Sequence, residues 1–255
     1  MILAIDIGNS RLKWATFDLE GQMQSSGAYL NKDIETLLIP AEWRACQHAV
    51  VSNVADAKYA EIIQAKLTTS NIALRWAISN KEAVGVLNSY EQPDKLGTDR
   101  WAALLAAKQH YGAPCVVVNA GTALTVDALG SDTAVASSIF LGGLILPGLG
   151  LMQSSLIQAA NGISKVSGVM QDFPVNTDNA IYTGALSAMV GAVQFMLAKL
   201  SQQAHLPVRC IFTGGDAEKL YEAFNALSIT PQTYELILDE TLVLQGLFLM
   251  EREAL

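Results

Sequence analysis

An apolar run, Ile2–Ile7, ends in Asp6-Ile7-Gly8-Asn9-Ser10 and leads straight into Arg11 and Lys13. These residue types suit phosphate chemistry. Gly8 permits close backbone approach, and successive N–H groups with the Asn9 and Ser10 side chains can point at phosphate oxygens. Asp6 is itself an anion, so it would act by orienting a hydrated Mg²⁺ that bridges phosphates. Arg11 and Lys13 offset the charge locally. A polar hairpin turn would account for the same residues, so this loop does not decide by itself.

A second chemical cluster lies at Pro93-Asp94-Lys95-Leu96-Gly97-Thr98-Asp99-Arg100, ahead of the Ala- and Leu-rich stretch Trp101–His110. That stretch predicts a helix, with Thr98 or Asp99 as its N-cap. Arg100 stands where the helix dipole prefers anions, which points to a carboxylate partner on the protein or on a ligand. Asp99 at the same end is expected to stay ionised and to be able to accept a proton from an alcohol.

These clusters must be held by a larger frame, and the sequence shows one by repeating itself. Cys115–Val118 is another apolar run, followed by Asn119-Ala120-Gly121-Thr122-Ala123. Aligning Gly121 with Gly8 puts Asn119 on Asp6 and Thr122 on Asn9. Second strands follow at Leu12–Leu19 and Leu124–Leu129, and third strands at Gln22–Tyr29 and Ala134–Leu141. Two such hairpins, one from each half, can hold a triphosphate from both sides. Phe212-Thr213-Gly214-Gly215-Asp216 supplies a further strand-to-helix turn suited to close nucleotide passage. Strands and helices then alternate, an α/β pattern. Helices are expected at 32–38, 57–67, 100–110, 151–160, 180–200, 217–224 and 242–253, and further strands at 48–54, 73–78 and 208–212. The hinge is expected near Tyr111-Gly112-Ala113-Pro114, dividing residues 1–112 from 113–255.

Composition narrows the function classes. The 255 residues carry a net charge of −8, with 51% hydrophobic and 16% charged residues, which excludes a disordered chain. The acidity argues against nucleic acid as a partner. Cys46, Cys115 and Cys210 form no zinc spacing or disulfide framework, as in a reducing cytoplasm. The N-terminus lacks a basic leader. Val135–Met152 reads as strand–turn–helix and Ala180–Leu200 as a core or interface helix, so no membrane segment is expected. His48, His110 and His205 lie near no motif, and the four tryptophans read as core residues.

Taken together, these residues resemble a type III pantothenate kinase, of the acetate and sugar kinase/actin superfamily. The likeness rests on Asp6–Ser10, the Tyr90-x-x-Pro93-x-x-Leu96-Gly97-x-Asp99-Arg100 block, Gly121-Thr122-Ala123, Gly142-Gly143-x-Ile145-x-Pro147-Gly148, Asn176-Thr177 and Gly214-Gly215-Asp216. It implies two duplicated, ribonuclease H-like (actin-like ATPase) α/β lobes, each a mixed sheet flanked by helices, with a cleft between. It implies ATP- and Mg²⁺-dependent phosphorylation of pantothenate, the first step of coenzyme A synthesis, in the cytoplasm. By the same resemblance Asp99 is the base, while Tyr90, Gly97, Thr98 and Arg100 line the pantothenate pocket. Thr177 reaches pantothenate from the neighbouring subunit of a homodimer, to which the small residues Gly184, Ala188, Gly191 and Ala192 would contribute. Asp6, Gly8, Asn9, Ser10, Arg11, Lys13, Gly121 and Thr122 hold ATP. Asn119 departs from the family, which usually has a carboxylate there for a monovalent cation (K⁺ or NH₄⁺). The rival readings are a kinase for another small hydroxyl substrate and a non-catalytic regulatory protein on the same scaffold.

Overall fold

The computed structural model describes residues 1–132, 137–159, 167–204, 206–227 and 234–255. Two compact units divide the chain: residues 1–110 with 241–255, and residues 111–240.

The first unit is built on β1 (Ile2–Ile7), β2 (Arg11–Phe17), β3 (Met23–Leu30), α1 (Ala41–Arg44), β4 (His48–Asn53), α2 (Ala57–Thr69) and β5 (Ala73–Trp76). Its sheet runs β3-β2-β1-β4-β5, with β1 antiparallel to β2 and parallel to β4. β1 is apolar at all but Asp6 because both of its faces are covered, as a central strand requires. β3 alternates between half-buried and exposed residues, as an edge strand does. Gly27 on β3 leaves room for the Trp14 indole, which a Cβ would approach at 2.9 Å. A short hairpin of β6 (Glu82–Ala83) and β7 (Val86–Asn88) then leads to α3 (Thr98–Tyr111). Residues 100–107 of α3 are all buried, which its alanines allow by keeping the helix thin.

The second unit contains β8 (Cys115–Ala120), β9 (Ala123–Asp132), β10 (Ser137–Pro147), α4 (Leu149–Ala159), α5 (Thr177–Gln203), β11 (Arg209–Thr213), α6 (Ala217–Leu227) and β12 (Glu235–Leu238). Its strands run β12-β11-β8-β9-β10, with β8 antiparallel to β9 and parallel to β11. This is the topology of the first sheet repeated strand for strand. One face of the sheet packs on α5 and α6 through Val116, Val118, Phe212, Leu186, Val193 and Phe224. Asn176 caps α5, its Oδ1 accepting from the Asn179 N–H at 2.9 Å.

The last helix, α7 (Leu242–Ala254), belongs to the first unit and packs on β1, β2 and β4. Gly246 meets α3 so closely that a Cβ there would overlap the Ala102 carbonyl. Arg75 fastens the helix by pairing with the buried Glu251 and donating to the Met250 carbonyl at 2.6 Å.

Several expectations need correction. Residues 242–253 were assigned by sequence order to the second half, but their apolar face is complementary to β1. Residues 32–38 form one 3₁₀ turn, Asn31–Asp33, and further turns rather than an α-helix. The third strand of the second half extends to Pro147: Gly142 and Gly143 do not end it, and a bulge falls between Phe140 and Gly142, with Gly142 at φ 129°. Residues 134–136, Ala160 and His205 lie outside the described residues. The expected cap of α3 is displaced by one position. Gly97 provides the first accepting carbonyl, to the Trp101 N–H at 3.0 Å, so Thr98 and Asp99 lie inside the first turn.

Candidate active site

In the first unit, β1 and β2 join through a tight turn in which the Gly8 N–H donates to the Arg11 carbonyl at 3.0 Å. The buried Asn31 fastens this turn from beneath, donating its Nδ2 to the Gly8 carbonyl at 2.7 Å and its backbone N–H to the Ser10 carbonyl. Gly8 does not have a positive φ, and a Cβ there would meet only the Arg11 carbonyl at 3.5 Å, an ordinary contact. The turn therefore does not itself require glycine. The space left open suits a ligand, with Asn9, Ser10 and Arg11 exposed around it.

Asp6 points from β1 beside Ser52, its partner in the parallel β1–β4 register, and opposite Lys13 of β2. Its Oδ1 is enclosed and has no protein hydrogen-bond partner. An enclosed carboxylate oxygen of this kind fits a hydrated divalent cation, whose waters would supply the missing donors. Burial, and then the nearby Asp99 carboxylate, push the Asp6 carboxyl up to about 7, against the lowering effects of the Ser52 hydroxyl and Lys13.

Asp99 occupies the first turn of α3. Burial raises its carboxyl, partly offset by the backbone N–H groups of Arg100 and Asp99 and by the Arg100 charge. The helix end, which favours the ionised form, is thus opposed by desolvation. A raised pKa makes it a stronger base for an alcohol proton. A Cβ at Gly97 would come within 2.7 Å of Asp99 Oδ1, so a side chain there would displace the carboxylate. Arg100 is buried, its guanidinium 5.9 Å from the centre of the Tyr90 ring. Tyr90 is presented by Asn88, which is fully enclosed: its Oδ1 accepts from the Tyr90 N–H, and its Nδ2 donates to the Asn80 and Pro93 carbonyls. Asp6, Tyr90, Gly97, Thr98, Asp99 and Arg100 thus all lie in the first unit.

In the second unit Gly121 and Thr122 form the counterpart turn, with the Gly121 N–H donating to the Ala123 carbonyl at 3.0 Å. The other glycine motifs clamp it. The Gly148 N–H donates to the Thr122 carbonyl and the Asp216 N–H to the Ala120 carbonyl, both at 2.9 Å. Side chains at Gly148 or Gly214 would overlap these same backbone segments. Asn119 lies in a cross-strand row with Thr125 and Thr213, whose buried hydroxyls lack protein partners. Such neutral oxygens fit a loosely held hard cation. Thr177 is exposed at the start of α5.

The sequence profile of the type III pantothenate kinases matches residues 2–199. The chain belongs to the type III pantothenate kinase family. A type III pantothenate kinase from Methylobacillus flagellatus is 44% identical over 252 residues, covering 98% of each chain. Among solved structures, a protein named as a Baf family transcriptional activator, from Campylobacter jejuni, superposes with TM-score 0.63 at 20% identity, covering 99% of this chain and 98% of that one. One named as a 2-dehydro-3-deoxygalactonokinase, from Sinorhizobium meliloti, gives 0.55 at 12% identity, covering 99% and 98%. The fold is the duplicated α/β fold of the actin-like ATPases and sugar kinases.

Three residues of this type III pantothenate kinase chain escaped the sequence reading: Asn31, Ser52 and Asn88. Each is a short polar side chain, buried and spent on backbone or hydroxyl partners. Only their position after or within apolar strands could have marked them.

The Asp6 environment has a thermodynamic consequence. Its folded-state pKa exceeds that of an unfolded aspartate, so its contribution to stability is greatest in acid and is lost as pH rises from about 4 towards 7. Without nucleotide or Mg²⁺, Asp6→Asn should therefore gain on the parent by ~5 °C or more in Tm between pH 5 and pH 8, checked by thermal unfolding. An unchanged difference would show that Asp6 is not destabilised by its surroundings.

Proposed function

We propose that this chain transfers the γ-phosphoryl group of ATP to the primary hydroxyl of pantothenate, the first step of coenzyme A synthesis, in the cytoplasm. Family membership supports the substrate. The observation that carries the chemistry is the pair of carboxyls, Asp6 behind a phosphate-type turn with its Oδ1 enclosed and half-buried Asp99 at the tip of α3, near enough to influence each other's ionisation. Asp99 accepts the hydroxyl proton as the oxygen attacks in line. Arg100 pairs with the pantothenate carboxylate, and Tyr90, Gly97 and Thr98 shape its pocket. Asn9, Ser10, Arg11 and Lys13 follow Gly8 in binding ATP, and Gly121 and Thr122 carry the second phosphate turn. Mg²⁺, held through water by Asp6, would neutralise charge on the transferring phosphoryl group.

The working form is a homodimer through α5. Ala180, Gly184, Ala188, Gly191 and Phe195 form an exposed stripe on this helix, and Cβ atoms at Gly184 and Gly191 would meet nothing. Beside it lies a cavity of about 610 Å³ lined by Pro147, Met152, Leu156, Thr177 and Ile181. A second copy would cover both and bring its own Thr177 to the pantothenate site. α5 is long and apolar enough to cross a membrane, but its Leu186, Met189, Val193 and Leu197 are committed to the core.

Pantothenate-dependent ADP release by the purified protein tests this reading, and ADP release only with sugars or acetate, or none at all, would overturn it. The same assay tests the cation site. Asn119 brings no negative charge, so the K⁺ requirement is weak, and Asn119→Asp should strengthen it. An unchanged K⁺ dependence of turnover would discard this account of Asn119.

A further inference from the structure

Ser52 is fully enclosed at the C-terminal part of β4, a place where an apolar residue would pack without needing partners. Its hydroxyl has two partners on different elements. On one side stands the Asp6 carboxylate, its neighbour in the parallel β1–β4 register, whose proton affinity it lowers. On the other is Thr98 Oγ1, 2.8 Å away, in the first turn of α3 next to Asp99. A serine has one proton to give. When Asp6 is ionised it can only accept, so a Ser52 proton given to it leaves the Thr98 hydroxyl to donate to Ser52. The chain of bonds then runs from Thr98 to Ser52 to Asp6.

This link matters for the reaction. The carboxylate behind the first phosphate turn and the turn that carries the base sit on separate elements, β1 and α3. In-line transfer tolerates little error between nucleophile and phosphorus. Among the described hydrogen bonds, the one between Ser52 and Thr98 is the side-chain link that ties the end of β4 to the start of α3. The Ser79 hydroxyl holds the preceding segment separately, donating to the Leu96 carbonyl at 2.8 Å.

We propose that Ser52 is a positioning residue that sets the Asp99 turn in register with Asp6 through Thr98. The inference rests on the phosphoryl-transfer reading above and deepens it. Ser52 touches neither pantothenate nor ATP in this proposal. It acts on kcat through the geometry of its two partners.

The test uses full-length Ser52→Ala, Thr98→Val and their double variant, assayed beside the parent protein for pantothenate-dependent ADP release. Ser52→Ala should lower kcat about tenfold or more with either KM changed less than about threefold, as expected when geometry rather than ground-state binding is lost. The double variant should be no slower than the slower single one. Parental kcat in Ser52→Ala, or losses that multiply in the double variant, would overturn the proposal. Amide hydrogen exchange reads the same link without turnover. Ser52→Ala should speed exchange at Trp101, whose N–H bonds the Gly97 carbonyl, about fivefold or more. Unchanged exchange there would refute the link even if pantothenate proved not to be the substrate, whereas an inactive parent protein with faster exchange in Ser52→Ala would fault the substrate reading alone.

Discussion

Asp99→Asn should lower pantothenate-dependent turnover by about 100-fold or more while leaving Mg·ATP affinity within about threefold. The amide is nearly the same size, so Gly97 still accommodates it and the first turn of α3 keeps its shape. What disappears is the only function the surroundings of Asp99 are built to enhance. Burial raises its affinity for a proton, and the adjacent N–H groups and Arg100 oppose that rise. Steady-state kinetics with calorimetric titration of nucleotide would separate the two effects. Unimpaired turnover would reassign the base, and a matching loss of ATP affinity would move Asp99 to the nucleotide side.

Arg100→Ala should act elsewhere, raising the pantothenate KM by about tenfold or more with the smaller change in the ATP KM. A buried guanidinium flanked by the Tyr90 ring is oriented before substrate arrives, so a carboxylate it meets gains a bond at little ordering cost. Arg100→Lys should not rescue, because an ammonium cannot reproduce the planar two-pronged geometry. Saturation curves for both substrates check this, and an effect confined to ATP would remove Arg100 from the pantothenate pocket. Tyr90→Ala offers a milder form of the same test, since Asn88 would still shape the loop.

Much of this arrangement was legible in the sequence because it is local. The chemistry of Asp6–Ser10 and Gly97–Arg100 follows from residue types at short spacing, and the repeated strand–hairpin–strand order announced two sheets of one design. What escaped the sequence depends on partners far away in the chain. Asn31 holds Gly8 across 23 residues, and Ser52 meets Thr98 across 46. No periodicity marks such contacts. The helix expected at 32–38 failed for a related reason: the Asn31 side chain and backbone are spent on the phosphate-type turn, and the chain leaves in 3₁₀ and turn geometry. Gly142 and Gly143 misled in the opposite direction. They look like a strand terminator, yet β10 passes a bulge between Phe140 and Gly142 and continues through them to Pro147, where Gly148 clamps the second turn. The upward pull on the Asp99 carboxyl was not legible in the sequence, because it comes from the desolvation that surrounds the helix end.

The return of α7 to the first unit has a consequence for biogenesis. Residues 241–255 reach the folding chain only after the whole of the second unit has been synthesised, yet they supply the Gly246 surface on which α3 rests at Ala102. The half bearing Asp6 and Asp99 therefore begins first on the ribosome and matures last. Nascent chains stalled before residue 241 would display an unfinished apolar face on β1 and β4, and that interval is where a holdase chaperone would find its target.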